Sequence, residues 1–222
     1  MAGPRLIDLS HPIESGMITY PDLPAPTISD WLSREQSRER YAAGTTFHIG
    51  RIEMVANTGT YIDAPFHRLA DGPDIADLAL AAVADVPGVV VRAAAAAGRA
   101  LEPAVFRDVD VRGRAVLVHT GWDRHWRTPA YGSGNPFLTR AAAVLLVERG
   151  AALVGIDSLN IDDPADGTRP AHTLLLEAGI PIVEHLTNLA ALPEHGFRLF
   201  AVPPPVRGLG SFPVRAFALV PE

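Results

Sequence analysis

Apolar residues along the chain fall in short runs divided by glycine, proline and aspartate, a spacing that suits strands better than long helices. Residues 6–9 (Leu-Ile-Asp-Leu) read as a first strand, and His11-Pro12 blocks its continuation as helix. Residues 16–30 carry Gly16, Pro21, Pro24 and Pro26, which predicts a loop or an arm laid over a neighbour. Residues 31–40 are charged and weakly helical. Across 47–57 the pattern alternates, with Phe47, Ile49, Arg51, Glu53 and Val55 on one face and His48, Gly50, Ile52, Met54 and Ala56 on the other. Mixed polarity on both faces predicts a strand that lines a site or an interface.

Further on, residues 75–80 predict a helical turn or two, and 88–92 a β-branched strand. A short helix is expected over 102–107 and a buried strand over 115–119. Residues 137–149 have the clearest helical period, with Ala141, Val144 and Leu145 inward, Arg140 and Glu148 outward, and Gly150 at the C-terminal cap position. A strand over 153–156, a helix over 171–177 ending at Gly179, and strands over 181–184, 199–202 and 214–220 complete the set. This alternation predicts one mixed α/β domain over residues 1–222 with a largely buried sheet. No internal repeat and no Gly-rich phosphate loop interrupts it.

Composition narrows the partners. The 222 residues are 48% hydrophobic, enough for a sizeable core. A net charge of -6 with no basic block argues against nucleic acid. No apolar run reaches the roughly 18–20 residues that span a bilayer, and the first residues lack the apolar segment of a secretory signal. The Ala93–Ala97 run is too short, with Arg92 and Arg99 flanking it. With no cysteine there is no disulfide, thiolate nucleophile or cysteine metal site, and a cytoplasmic protein is expected.

Candidate chemistry concentrates in Asn57-Thr58-Gly59-Thr60-Tyr61-Ile62-Asp63-Ala64-Pro65-Phe66-His67. Asp63 and His67, four apart, can converge on one ion or substrate, or can simply cap backbone groups of a tight connection. Other polar groups stand at the ends of expected strands: His119, Asp157, Asp162, Glu184 and His185, with His172 opening a helix. Strand ends are where open α/β sheets place ligands. His195 reads as a surface-loop residue and His125 as packing with Trp122 and Trp126. Serine catalysis has no support, because no Gly-x-Ser-x-Gly elbow exists.

Together with Ile7-Asp8-Leu9-Ser10-His11-Pro12, Thr120-Gly121-Trp122, Gly155-Ile156-Asp157 and Ile182-Val183-Glu184-His185-Leu186-Thr187-Asn188-Leu189, that stretch resembles the cyclase family of metal-dependent hydrolases, which includes bacterial kynurenine formamidase and isatin hydrolase. The resemblance implies a swivelling β/β/α architecture and a homodimer or homotetramer with sites near subunit contacts. Its motif, His-x-Gly-Thr-His-x-Asp-x-Pro-x-His, is altered here, with Asn57 and Tyr61 in place of the first two histidines. The ligands it leaves are Asp63, His67, His172 and Glu184. An Asn amide is a weak ligand and a Tyr phenol must first lose a proton of pKa about 10, so the expectation is a single zinc or manganese ion or none.

The implied activity is hydrolysis of a C–N or C–O bond in a small amide, lactam or lactone. The catalytic set would be Tyr61, Asp63, His67, His172 and Glu184, with Phe47, Phe66, Trp122, Trp126 and Asn57 around the substrate. Two alternatives remain open. One is a metal-independent cyclase, dehydratase or isomerase using the same cluster. The other is a non-catalytic binder of a small molecule.

Overall fold

The computed structural model describes residues 3–96 and 98–221, so Ala97 of the alanine run lies outside the described residues. The chain opens with β1 (Arg5–Asp8), β2 (Thr27–Leu32), α1 (Arg34–Ser37), β3 (Ile49–Glu53) and β4 (Tyr61–Asp63). After α2 (Leu80–Val83), strands and helices alternate: β5 (Val86–Arg92), β6 (Ala100–Leu101), β7 (Ala115–His119), β8 (Phe137–Leu138), α3 (Arg140–Glu148), β9 (Leu153–Ile156), α4 (Pro170–Glu177) and β10 (Ile182–Glu184). Three strands close the chain: β11 (His195–Phe200), β12 (Ser211–Pro213) and β13 (Phe217–Val220).

Nine of these strands form one mixed sheet in the order β1-β13-β11-β5-β7-β9-β10-β4-β12. Its centre, β5-β7-β9-β10, is parallel, and both flanks are antiparallel. Parallel neighbours need crossovers; α3 lies on the path from β7 to β9 and α4 on the path from β9 to β10. A sheet covered on both faces needs strands that are apolar throughout, which is why β7 reads Ala-Val-Leu-Val. One face buries Ile62, Leu117, Val183 and Phe197. The other buries Val116, Val154, Ile156 and Ile182 against Leu146 of α3 and Leu175 of α4. The mixed α/β class is as expected.

Three local expectations are corrected. The segment 16–30 is not all loop, because pairing begins directly after Pro26: β2 runs antiparallel to β3, from Thr27 opposite Glu53 to Leu32 opposite Ile49. That takes Trp31 into a strand and leaves only Arg34–Ser37 helical, held by the reciprocal Ser33–Gln36 capping box. Helix α3 starts at Arg140, since Phe137 and Leu138 pair with β6 and the Thr139 side chain caps the Ala142 N–H. Its buried residues are Ala142, Ala143 and Leu146, whereas Ala141 is exposed. Two small alanines let the helix sit close on the sheet, so the buried face is turned by about one residue from the one the helical period suggested.

Candidate metal centre

Strand β4 is three residues long and is bonded along both edges, to β10 and to β12. Strand alternation sends Ile62 into the apolar core and turns Tyr61 and Asp63 to the helix-bearing face. Register then chooses their neighbours, Glu184 opposite Tyr61 and Ser211 opposite Asp63. Tyr61 donates its hydroxyl to Glu184 Oε2 at 2.5 Å. Ser211 donates its hydroxyl to Asp63 Oδ1 at 2.5 Å, and its oxygen lies 2.9 Å from His67 Nδ1.

The turns around β4 are fixed by polar side chains and two glycines. Thr60 donates Oγ1–H to the His185 carbonyl and accepts the His11 N–H. Gly59 has φ 67°, a left-handed conformation open to glycine at low cost. After Ala64, a 3₁₀ turn over Pro65–His67 swings His67 back toward Asp63. Gly210 lies against that turn: a Cβ there would stand 2.5 Å from His67 N.

His172 arrives from the first turn of α4. Asp162 accepts the backbone N–H of Ala171 at 2.6 Å and of His172 at 3.0 Å, and pairs with His172 Nδ1 at 2.7 Å. A carboxylate on Nδ1 leaves Nε2 as the free nitrogen. Nε2 stands 3.8 Å from Asp63 Oδ2 and 3.7 Å from Glu184 Oε1.

Asp63, His67 and His172 thus each present one donor atom within 4.8 Å of the others. Asp63 Oδ2 is buried and has no hydrogen-bond partner. Burial pushes the Asp63 carboxyl up, but the His67 and His172 charges and the Ser211 hydrogen bond outweigh it and hold it below the usual range. For His172 burial lowers the imidazole, yet the Asp162 hydrogen bond and the charges of Glu184 and Asp63 raise it to about 10. Without a cation the His172 imidazole keeps its proton; a bound ion would take the proton's place.

Glu184 stands beside that three-residue group: its Oε1 lies 3.7 Å from His172 Nε2 and accepts the Ile161 N–H at 2.6 Å, and its Oε2 accepts from Tyr61. Burial, aided by the Asp63 charge, pushes it up to about 7 against the opposing His172 charge. Burial and the charges of Glu184 and Asp63 drive the Tyr61 hydroxyl well above 10, so it stays protonated. Asn57 directs Nδ2 to Ser211 Oγ at 3.3 Å. Both residues at the altered motif positions are therefore hydrogen-bond donors to the site.

A cavity of about 450 Å³ opens onto His67, His172, Tyr61 and Asn57. The expected aromatic walls do not line it. Phe47 is on the exposed β2–β3 arm, edge-on to Tyr41. Trp122 turns its Nε1–H to the Tyr131 carbonyl, and Trp126 stacks flat on His11 at 4.0 Å. Phe66 is half-buried in the Pro65–His67 turn. His48 pairs with Asp30 at 2.8 Å on the arm. The lining instead includes Tyr20, Leu23, Arg68, Asn160 and Arg169, none of which sequence reasoning singled out. Arg68 directly follows His67, so proximity in sequence was a usable signal; Asn160 and Arg169 come from a loop with none.

The Cyclase family model matches residues 7–163, more than half of the chain. The protein belongs to the Cyclase family. Kynurenine formamidase of Bacillus cytotoxicus is 29% identical over 97% of this chain and 98% of its own, and that of Bacillus cereus is 29% identical over 95% of each. Isatin hydrolase A from Labrenzia aggregata superposes with a TM-score of 0.85 at 24% identity, over 99% of this chain and 94% of its own. A structure described as a potential metal-dependent hydrolase with cyclase activity gives 0.81 at 25%, over 99% of both. Within this Cyclase-family fold, a carboxylate oxygen and two imidazoles suit a divalent ion, and an unpartnered buried Asp63 Oδ2 is the atom such an ion would satisfy. The residues present fit one.

Proposed function

We propose that this protein hydrolyses the C–N bond of a small amide or lactam, using one zinc or manganese ion held by Asp63, His67 and His172. The observation that carries this reading is the convergence of those three side chains on a buried Asp63 oxygen that no protein group satisfies. Similarity to a formamidase and to isatin hydrolases supports the bond type. When bound, the ion supplies Lewis acidity toward water and a carbonyl.

The side chains do the rest. Asp162 holds the His172 ring by Nδ1, and Ser211 holds His67 by Nδ1. Glu184, raised to about 7 by burial, takes and returns a proton at Oε2 behind Tyr61, whose side chain faces the cavity. Asn57 and Asn160 offer neutral amides to orient the substrate.

Elemental analysis of protein purified without chelator should find about one equivalent of zinc or manganese. An aryl formamide should release formate, and Asp63→Asn should lose both ion and turnover. A second reading, metal-independent proton transfer, has the buried Tyr61–Glu184 pair behind it. Full turnover by ion-free protein would choose that reading and reject the first.

A further inference from the structure

The cavity beside the three-residue group carries two cationic side chains that the proposed hydrolysis does not use, Arg68 and Arg169. Thr173 ties them to one turn of α4: its Oγ1 accepts from Arg68 Nε at 3.0 Å, and its N–H donates to the Arg169 carbonyl at 3.0 Å. That bond fixes one edge of the Arg68 guanidinium, and its terminal nitrogens have no hydrogen-bond partner among the described residues. Arg169 spends Nη1 on Asn160 Oδ1 at 3.2 Å and the Asp163 carbonyl at 3.4 Å. Its Nη2 has no such contact among the described residues. Arg169 also holds a left-handed backbone, φ 48° and ψ 60°, which a non-glycine residue keeps only where its surroundings enforce it.

Neither guanidinium forms an ion pair with a carboxylate among the described residues. The one acidic residue in the lining is Asp22, exposed in the neighbouring 20–23 segment. Two positioned guanidinium groups with unspent N–H donors, in a protein of net charge -6, form a receptor for a planar anion. We infer that the substrate carries a carboxylate, which Arg68 and Arg169 bind while the scissile amide lies over Asp63, His67 and His172. The inference rests on the proposed hydrolysis for the second contact only. Charge recognition by the two arginines is separable from it.

The test is calorimetric titration with benzoate and benzamide, probes alike in ring and size and different in charge. The ion-loaded protein should bind benzoate about tenfold more tightly than benzamide. Arg68→Met and Arg169→Met should each remove most of that preference while metal content and the thermal transition stay unchanged. Asp63→Asn, with its ion site broken, should keep the preference, which separates arginine binding from direct ligation of the ion by benzoate. If the wild type shows no preference, or if both arginine variants retain it, the inference is wrong. A preference in a protein that holds no ion would leave the arginine site standing and sink only the hydrolase reading.

Discussion

Tyr61 and Glu184 face each other across the β4–β10 pairing, two buried side chains joined by a 2.5 Å hydrogen bond with Tyr61 at the cavity wall. Burial, with the Glu184 and Asp63 charges beside it, holds the phenol protonated, and it donates to Glu184. Tyr61→Phe removes that donor and leaves Glu184 with the Ile161 N–H on its other oxygen. Turnover should fall by about 10²-fold if the pair moves a proton, with bound metal unchanged. Loss of metal in this variant would mean that the tyrosine helps to hold the ion.

Close backbone approach predicts a second effect. Any Cβ at position 210 meets the backbone of His67, which cannot yield as a flexible side chain would. Gly210→Ala should cost about 1–3 kcal/mol in denaturant unfolding and should also weaken ion binding, since the displaced turn carries His67. A variant of native stability and full metal content would show that β12 and the turn move independently.

Buried histidines set an acid limit. Burial lowers His11 to about 4, only partly offset by the Asp123 charge, and lowers His185 to about 3. Both lie below the unfolded value of 6.5, so the folded state favours the neutral rings. Their contribution is complete above about pH 6.5 and is lost as pH falls toward 4, by at most about 1.4 kcal/mol per pH unit for each group. His11→Phe keeps a ring against Trp126 and cannot titrate. Urea unfolding at pH 7, 6, 5 and 4 should give it a shallower decline than the wild type. Parallel curves would show that His11 is not the group responsible.

The β2–β3 ribbon predicts self-association. Ile28, Trp31, Phe47, Ile49 and Ile52 are exposed on it, Trp31 to 69%. A two-stranded ribbon is marginal in water unless another surface packs on it. Light scattering should find a dimer or tetramer, and Trp31→Glu with Ile52→Glu should lower that mass. A wild-type monomer at tens of micromolar (on the order of cellular concentrations for an abundant enzyme) would leave the ribbon unexplained.

Strand positions were readable because buried parallel strands such as 115–119 and 153–156 must be apolar on both faces. The Gly59-Thr60 and Pro65 frame was readable because Gly59 holds φ 67°, Thr60 bonds two backbone groups and Pro65 opens a 3₁₀ turn. Less was legible in the site itself. Glu184 stood among the expected ligands; what could not be read was that the β4–β10 register sets its Oε2 on Tyr61 while the segment after β9 brings the Ile161 N–H to Oε1. Register is a property of two strands more than 100 residues apart, and neither one records it alone. The aromatic walls failed for a related reason: Phe47 and Trp122 are large and apolar, but the segments that carry them lead to the arm and to Tyr131.

Being pinned on both edges has a consequence for exchange. Asp63 lies on a strand with no free side from which to fray, between β10 and β12. For an ion bound there, carrying this carboxylate away by backbone movement would require breaking the sheet that also buries Ile62 and Val183. Release by backbone opening at β4 would therefore share the barrier of unfolding, and the faster route would be side-chain rotation into the cavity, whose lining carries Arg68 and Arg169. Slow exchange would then be a product of sheet topology as much as of affinity.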